Sequence, residues 1–191
     1  KHAGYQTTYL DAQRRHGQLQ NFMSPRERRA IDYFIQFSDV DAVERSDAFV
    51  TKDQRAASVL QDILERTTPQ FVIVNKEGVH APYEGKYPES ETQFSPTMML
   101  NESIHPGLPR DKLVNSYRNA IAWSVDKFFA TLLSSRNERL FKNSVVIYTG
   151  DHGQNLLNEG TPTHCGSPNP PSVVGLVPLF VVTDHLLLRD E

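Results

Sequence analysis

Cysteine is almost missing from this chain: Cys165 is the single one in 191 residues, so no disulfide can close within it and the redox compartment stays undecided. Long apolar runs are missing too. The longest, Val173 to Leu188, is broken by Pro178 and by Asp184 with His185, short of the roughly 20 apolar residues a spanning helix needs. Neither sign of charge dominates: 20 Lys and Arg face 23 Asp and Glu, a net charge of -3, which gives no broad electrostatic basis for binding nucleic acid or an anionic membrane. There is no initiator Met, signal segment or tag, and the opening Lys1-His2-Ala3-Gly4-Tyr5 reads as the continuation of a longer polypeptide. What remains is ordinary in composition, with 38% hydrophobic, 23% charged and 9% aromatic residues. That describes one globular domain and excludes collagen, coiled coil and low-complexity classes.

The pattern of elements alternates. Tyr5 to Leu10, rich in Tyr and Thr, predicts a short strand ending at Asp11. Ser24 and Pro25 have the character of an N-cap and first helical residue, and Ile31, Phe34 and Ile35 extend a helical spacing, so a helix is predicted over 24–37. Its arginines read as a solvated face. A second helix is predicted from Thr51 to Thr67, with Ala56, Val59, Leu60, Ile63 and Leu64 on one stripe and Pro69 ending it. Phe71-Val72-Ile73-Val74 then has the continuous apolar character of a strand buried on both faces. Five prolines between Ala81 and Pro109 predict a long irregular excursion of the functional kind. Asp111 to Ser134 carries the strongest helical periodicity, Val145 to Thr149 is another buried strand, and Leu176 to Thr183 one more. Helices alternating with strands predict a doubly wound α/β sheet with right-handed crossovers.

In such sheets ligands gather beyond the carboxyl ends of the strands. The first strand ends at Asp11, the second leads through Asn75 and Lys76 to His80, and the third ends at Asp151-His152 with His164 beyond. Asp151 and His152 offer a carboxylate oxygen and an imidazole nitrogen, both suited to Zn²⁺, with glycines on either side to allow a tight turn. Taken singly, each has a bland alternative, as a turn cap or a loop histidine. Their convergence on one edge of one sheet is what points to a site. A thiol nucleophile at Cys165, activated by the adjacent His164, is disfavoured because sequence neighbours rarely hold the geometry this needs. His2, His16, His105 and His185 have no comparable setting.

The run Val145-Val146-Ile147-Tyr148-Thr149-Gly150-Asp151-His152-Gly153-Gln154, then Thr163-His164-Cys165-Gly166 and Val177-Pro178-Leu179-Phe180-Val181, resembles the C-terminal half of the sulfatase-like hydrolases of the alkaline phosphatase superfamily. Within that superfamily it is most similar to the phosphoethanolamine transferases. Gly78-Val79-His80-Ala81-Pro82-Tyr83 with Lys86-Tyr87-Pro88 resembles their His-Gly-Pro segment and Tyr-Pro pair, and Asn115-Ser116-Tyr117-Arg118-Asn119 resembles the start of their long helix. The match is in order across most of residues 70–182.

The resemblance implies a three-layer α/β/α domain with a mostly parallel sheet, of which residues 1–191 would be the C-terminal portion with the N-terminal part missing. It implies Asp151 and His152 as ligands of a catalytic zinc, and His80 and His164 as the groups that hold phosphoryl oxygens and serve the leaving or attacking group. A phosphoethanolamine donor, a lipid or glycan acceptor of the cell envelope, a threonine nucleophile and the periplasmic face of the inner membrane belong to the same implication. The nucleophile and the remaining acidic ligand would precede residue 1, so the isolated chain is expected to be inactive. Gln154-Asn155 and Cys165 depart from the family pattern and leave the substrate open. A sulfatase or phosphodiesterase of the same superfamily, or a non-catalytic anion-binding remnant, are the alternatives.

Overall fold

The computed structural model describes residues 3–13, 23–37, 48–134, 140–158 and 169–184. Its framework is a parallel three-stranded sheet, β1 (Gln6–Asp11), β2 (Tyr33–Gln36) and β3 (Gln70–Asn75), in the order β2-β1-β3. A second, two-stranded sheet joins β4 (Val145–Thr149) to β5 (Leu179–Thr183). The mixed α/β class with a parallel sheet is therefore as the sequence predicts, but β5 runs antiparallel to β4. Among the described residues β3 and β4 do not pair, so the strand ends fall on two sheets instead of one.

The helix predicted over 24–37 is a correction. Helix α1 spans only Pro25–Ala30, opened by the capping box that Ser24 and Pro25 foretell: Ser24 Oγ accepts from Glu27 N at 3.2 Å and Glu27 Oε2 from Ser24 N at 2.7 Å. The residues after it form β2. Phe34 is the register partner of Tyr9, and their rings stack with centroids 5.3 Å apart. Cross-strand pairing of this kind outweighs a short helical spacing, because β-branched and aromatic residues fit the pleat once a partner strand is present.

Helix α2 (Ala48–Leu64) begins before the predicted Thr51 and stops short of Thr67. The long helix is continuous over residues 110–132, as α3 (Arg110–Ile121), a π turn at Ala122–Asp126 and α4 (Lys127–Leu132). Leu60 and Ile63 of α2 meet Phe128, Phe129 and Leu132 of α4, and onto this layer fall Leu10, Val72, Val74, Val146 and Tyr148 from both sheets. Each buried Leu or Phe contributes about 1.5–3 kcal/mol. A smaller core lies under the proline-rich excursion, where Tyr83, Tyr87, Met98 and Leu108 pack on Leu113 and Ala120 of α3.

Asn119 explains how so polar an excursion stays in place. It is fully buried, its Oδ1 accepts from Gln93 N at 3.0 Å and Phe94 N at 2.9 Å, and its Nδ2 donates to Phe94 O at 2.9 Å. One turn earlier Ser116 Oγ accepts from Met98 N at 2.9 Å and Asn115 Nδ2 donates to Pro96 O at 3.0 Å. Three polar residues of one helix therefore supply the partners that loop backbone lacks.

Candidate active site

The C-terminal ends of β3 and β4 belong to different sheets but lie near each other. Tyr148, next to last in β4, has its hydroxyl pKa raised by burial and then by charges that include Asp53, beside the end of β3, and Asp151. Two loops leave these strand ends, one through Lys76 to His80 and one through Gly150 to Gly153.

The first loop is held from beneath by Asp53 of α2. Its carboxylate, 3% exposed as a residue, accepts from Glu77 N at 2.8 Å and Gly78 N at 3.0 Å, and lies 3.6 Å from Lys76 Nζ. The Lys76 ammonium sits 3.6 Å from the centroid of the Phe128 ring and donates to Ser124 O in the π turn. Burial lowers the Lys76 pKa to about 8, with Asp53 acting the other way. Glu77 and Lys86 form a second, nearly buried ion pair that ties this loop to the excursion. Tyr87 donates to Glu84 at 2.7 Å nearby. His80 emerges from this scaffold exposed, with Nδ1 2.6 Å from Ala81 O.

The second loop carries Asp151 and His152. Asp151 Oδ1 accepts from His152 N at 3.0 Å, His152 Nδ1 lies 2.8 Å from Gly153 O, and His152 Nε2 lies 3.8 Å from Asp151 Oδ2. The Asp151 side chain is 87% exposed and that of His152 35%. Gly153 is required by close approach: its N donates to Val174 O at 2.6 Å, and a Cβ there would run into the carbonyl oxygens of Val173 and Leu176. The loop is thereby seated on the turn Ser172–Gly175.

This pair suits a zinc ion. Tetrahedral ligands about 2.0–2.1 Å from zinc stand roughly 3.3 Å apart, close to the 3.8 Å between Nε2 and Oδ2. With His152 Nδ1 donating to the Gly153 carbonyl, Nε2 would be the ring nitrogen for a metal. Among the described residues no third His, Cys, Asp or Glu joins them in a cluster. The predicted His164, with Cys165, lies outside the described residues. Asp11 is at the same end of β1 but is fully buried and engaged by Asn75 Nδ2 at 3.0 Å and Gln13 N at 3.2 Å.

Sequence reasoning missed Asp53 and Asn119 as supporting groups. Each is a polar residue on a helix whose remaining pattern is amphipathic, a signal for burial that becomes readable only when the loop it serves is known.

Comparison with known proteins gives the context. Residues 1–187 match the Sulfatase family. The chain is 28% identical over 102 residues to Kdo(2)-lipid A phosphoethanolamine 7''-transferase of Escherichia coli K12, covering 51% of this chain and 17% of that protein. It is 27% identical over 175 residues to phosphoethanolamine transferase EptC of Escherichia coli O18:K1:H7, covering 86% of this chain and 27% of that protein. The C-terminal periplasmic domain of EcEptC from Escherichia coli, solved in complex with Zn, superposes with a TM-score of 0.66 at 21% identity, over 95% of this chain and 50% of that domain. The chain thus spans about half of that domain and about a quarter or less of the curated relatives. With an alternating α/β fold, an Asp-His pair at a strand end and a family match over almost its whole length, this chain belongs to the sulfatase family.

Proposed function

We propose that residues 1–191 are the C-terminal portion of the catalytic domain of a zinc-dependent phosphoethanolamine transferase acting on a lipid or glycan of the cell envelope at the periplasmic face of the inner membrane. The observation that carries the reading is the pairing of Asp151 Oδ2 and His152 Nε2 at 3.8 Å with His152 Nδ1 against Gly153 O. The kinship with lipid A and EptC phosphoethanolamine transferases supports the chemistry.

Asp151 and His152 would hold the ion, which when bound would acidify a hydroxyl nucleophile and offset charge on phosphoryl oxygens. His80, carried on the loop that Asp53 fixes, presents Nε2 as a donor to a phosphoryl oxygen or as a proton carrier for the leaving or attacking hydroxyl. His164 serves the same group of atoms. Two protein ligands make a weak zinc site, since a catalytic zinc has three as a rule, so the isolated chain is inactive and the nucleophile and further ligand come from outside it.

Zinc titration, with elemental analysis, tests this on both the 191-residue chain and its complete reading frame. The expected result is weak binding by the chain, stoichiometric binding by the complete protein, and a loss of at least tenfold in affinity in His152→Ala and in Asp151→Ala. Transfer of phosphoethanolamine to a lipid A acceptor, read by mass spectrometry, should fall with the metal. Zinc binding indifferent to both substitutions, or hydrolysis of sulfate esters with no transfer, overturns the proposal.

A further inference from the structure

His80 and the Asp151–His152 pair stand on loops that leave different sheets, so the backbone ladders alone do not fix one against the other. A shared apolar mount does. Val79 and Ala81, on either side of His80, pack against the smaller core under the excursion, and so do Leu156 and Leu157, which follow His152 on the other loop. Tyr83 and Leu113 within that core are fully buried. Leu157 shows that the contact is imposed. Its φ is 60°, where the Cβ of an L-residue crowds the following carbonyl oxygen and glycine is the ordinary occupant. A bulky residue stays there only when its surroundings over-determine it, and what leucine adds over glycine is the side chain that reaches the core. Two polar contacts close the same turn. Asn155 is buried with its Oδ1 accepting from Asn158 N at 3.0 Å, and Arg110 Nη2 donates to Asn158 Oδ1 at 2.7 Å. Arg110 opens α3, the helix whose Leu113 and Ala120 belong to the core, so this clasp and the mount share one helix.

We infer that Val79 and Leu157 are positioning residues: through the core they share, they set where His80 stands relative to Asp151 and His152, and the Arg110–Asn158 hydrogen bond locks the second loop onto α3. A close-packed interior transmits a displacement instead of absorbing it, so a change under one loop is felt under the other. Neither side chain carries a group that could take part in phosphoryl transfer, and both act through the residues they hold. The link between the loops rests on packing alone, and its bearing on catalysis rests on the function proposed above.

Amide hydrogen exchange on the complete protein, without metal or substrate, tests the link. Leu157→Ala should speed exchange about tenfold at Glu77 and Gly78, whose amides donate to Asp53 on the other loop, while β1 is unaffected. Val79→Ala should do the same to residues 151–158, because coupling between two sites is reciprocal. Leu157→Met, which keeps the volume, should restore the parent rates. Arg110→Ala, at an exposed position, provides a second route and should act in the same direction on both loops. Faster exchange confined to the substituted loop in all of these variants overturns the inference, and so does an equal acceleration in β1, the mark of a general loss of stability. Zinc titration of the same proteins separates this result from the functional reading. A parent protein that binds no zinc refutes that reading and leaves the exchange rates to decide the link. Where the parent binds zinc, affinity should weaken about tenfold in Val79→Ala and in Leu157→Ala, and parent-like affinity in both overturns the positioning role.

Discussion

Asn75 Nδ2 donates to Asp11 Oδ1 at 3.0 Å, joining the last residues of two neighbouring parallel strands that are also register partners. Asp11 is fully buried, and Gln36, the last residue of β2, lies on its other side with Nε2 3.5 Å from Oδ2. Three strands thus end together on one carboxylate. The edge from which the Lys76–His80 loop leaves is pinned by side chains as well as by the backbone ladder.

Asn75→Ala removes a donor from that buried carboxylate and should cost about 1–3 kcal/mol. Urea unfolding of the variant against the parent chain measures it. An unchanged midpoint would show that water or another group replaces the amide.

Lys76 gives a pH signature. Burial holds its folded pKa at about 8 against an ordinary 10.5, so between these values the unfolded chain binds more protons and stability should rise with pH. The full effect is about 3 kcal/mol at most. Above pH 10 the sign reverses, because burial and then Glu84 push Tyr87 up to about 12: the folded state keeps a proton that the unfolded state gives up, and that stability is lost as pH rises toward 12. Lys76→Met should flatten the rise and Tyr87→Phe soften the fall in a chemical denaturation series from pH 7 to 12.

Asn119→Leu keeps the volume but leaves the amides of Gln93 and Phe94 without their acceptor. A loss of about 2–3 kcal/mol is expected, with faster amide exchange at residues 93 and 94 while β1 is unaffected.

Gly153→Ala should displace the loop bearing Asp151 and His152 from the turn at Ser172–Gly175, since no room exists for a Cβ against the carbonyls of Val173 and Leu176. The expected cost is about 1–3 kcal/mol, accompanied by weaker zinc binding in titration. Zinc affinity unaltered by this change would mean that the seat of the loop does not shape the Asp-His pair.

Much of the layout was legible in the sequence. The strands at Gln6–Asp11, Gln70–Asn75 and Val145–Thr149 lie where apolar and β-branched runs predicted them, and the long amphipathic helix over residues 110–132 follows its periodicity, because each signal is local. The Asp-His pair was legible for the same reason: glycines flank adjacent donors directly after a strand. Tyr33–Gln36 was misread as helix because only the pairing with β1, some 25 residues away in the chain, makes it a strand.

The supporting groups of the site belonged to tertiary structure altogether. Nothing near Asp53 in the chain announces that it caps the loop 24 residues later, or that Asn119 serves backbone 25 residues earlier. By itself the sequence determined most of the elements and the family resemblance, and it placed an adjacent Asp-His pair directly after a strand, since these follow from side-chain identity at short spacing. Only the tertiary structure decided which strands pair, which sheet face is covered and which buried polar groups hold the loops, because each of those depends on satisfying backbone and apolar surface across long stretches of chain.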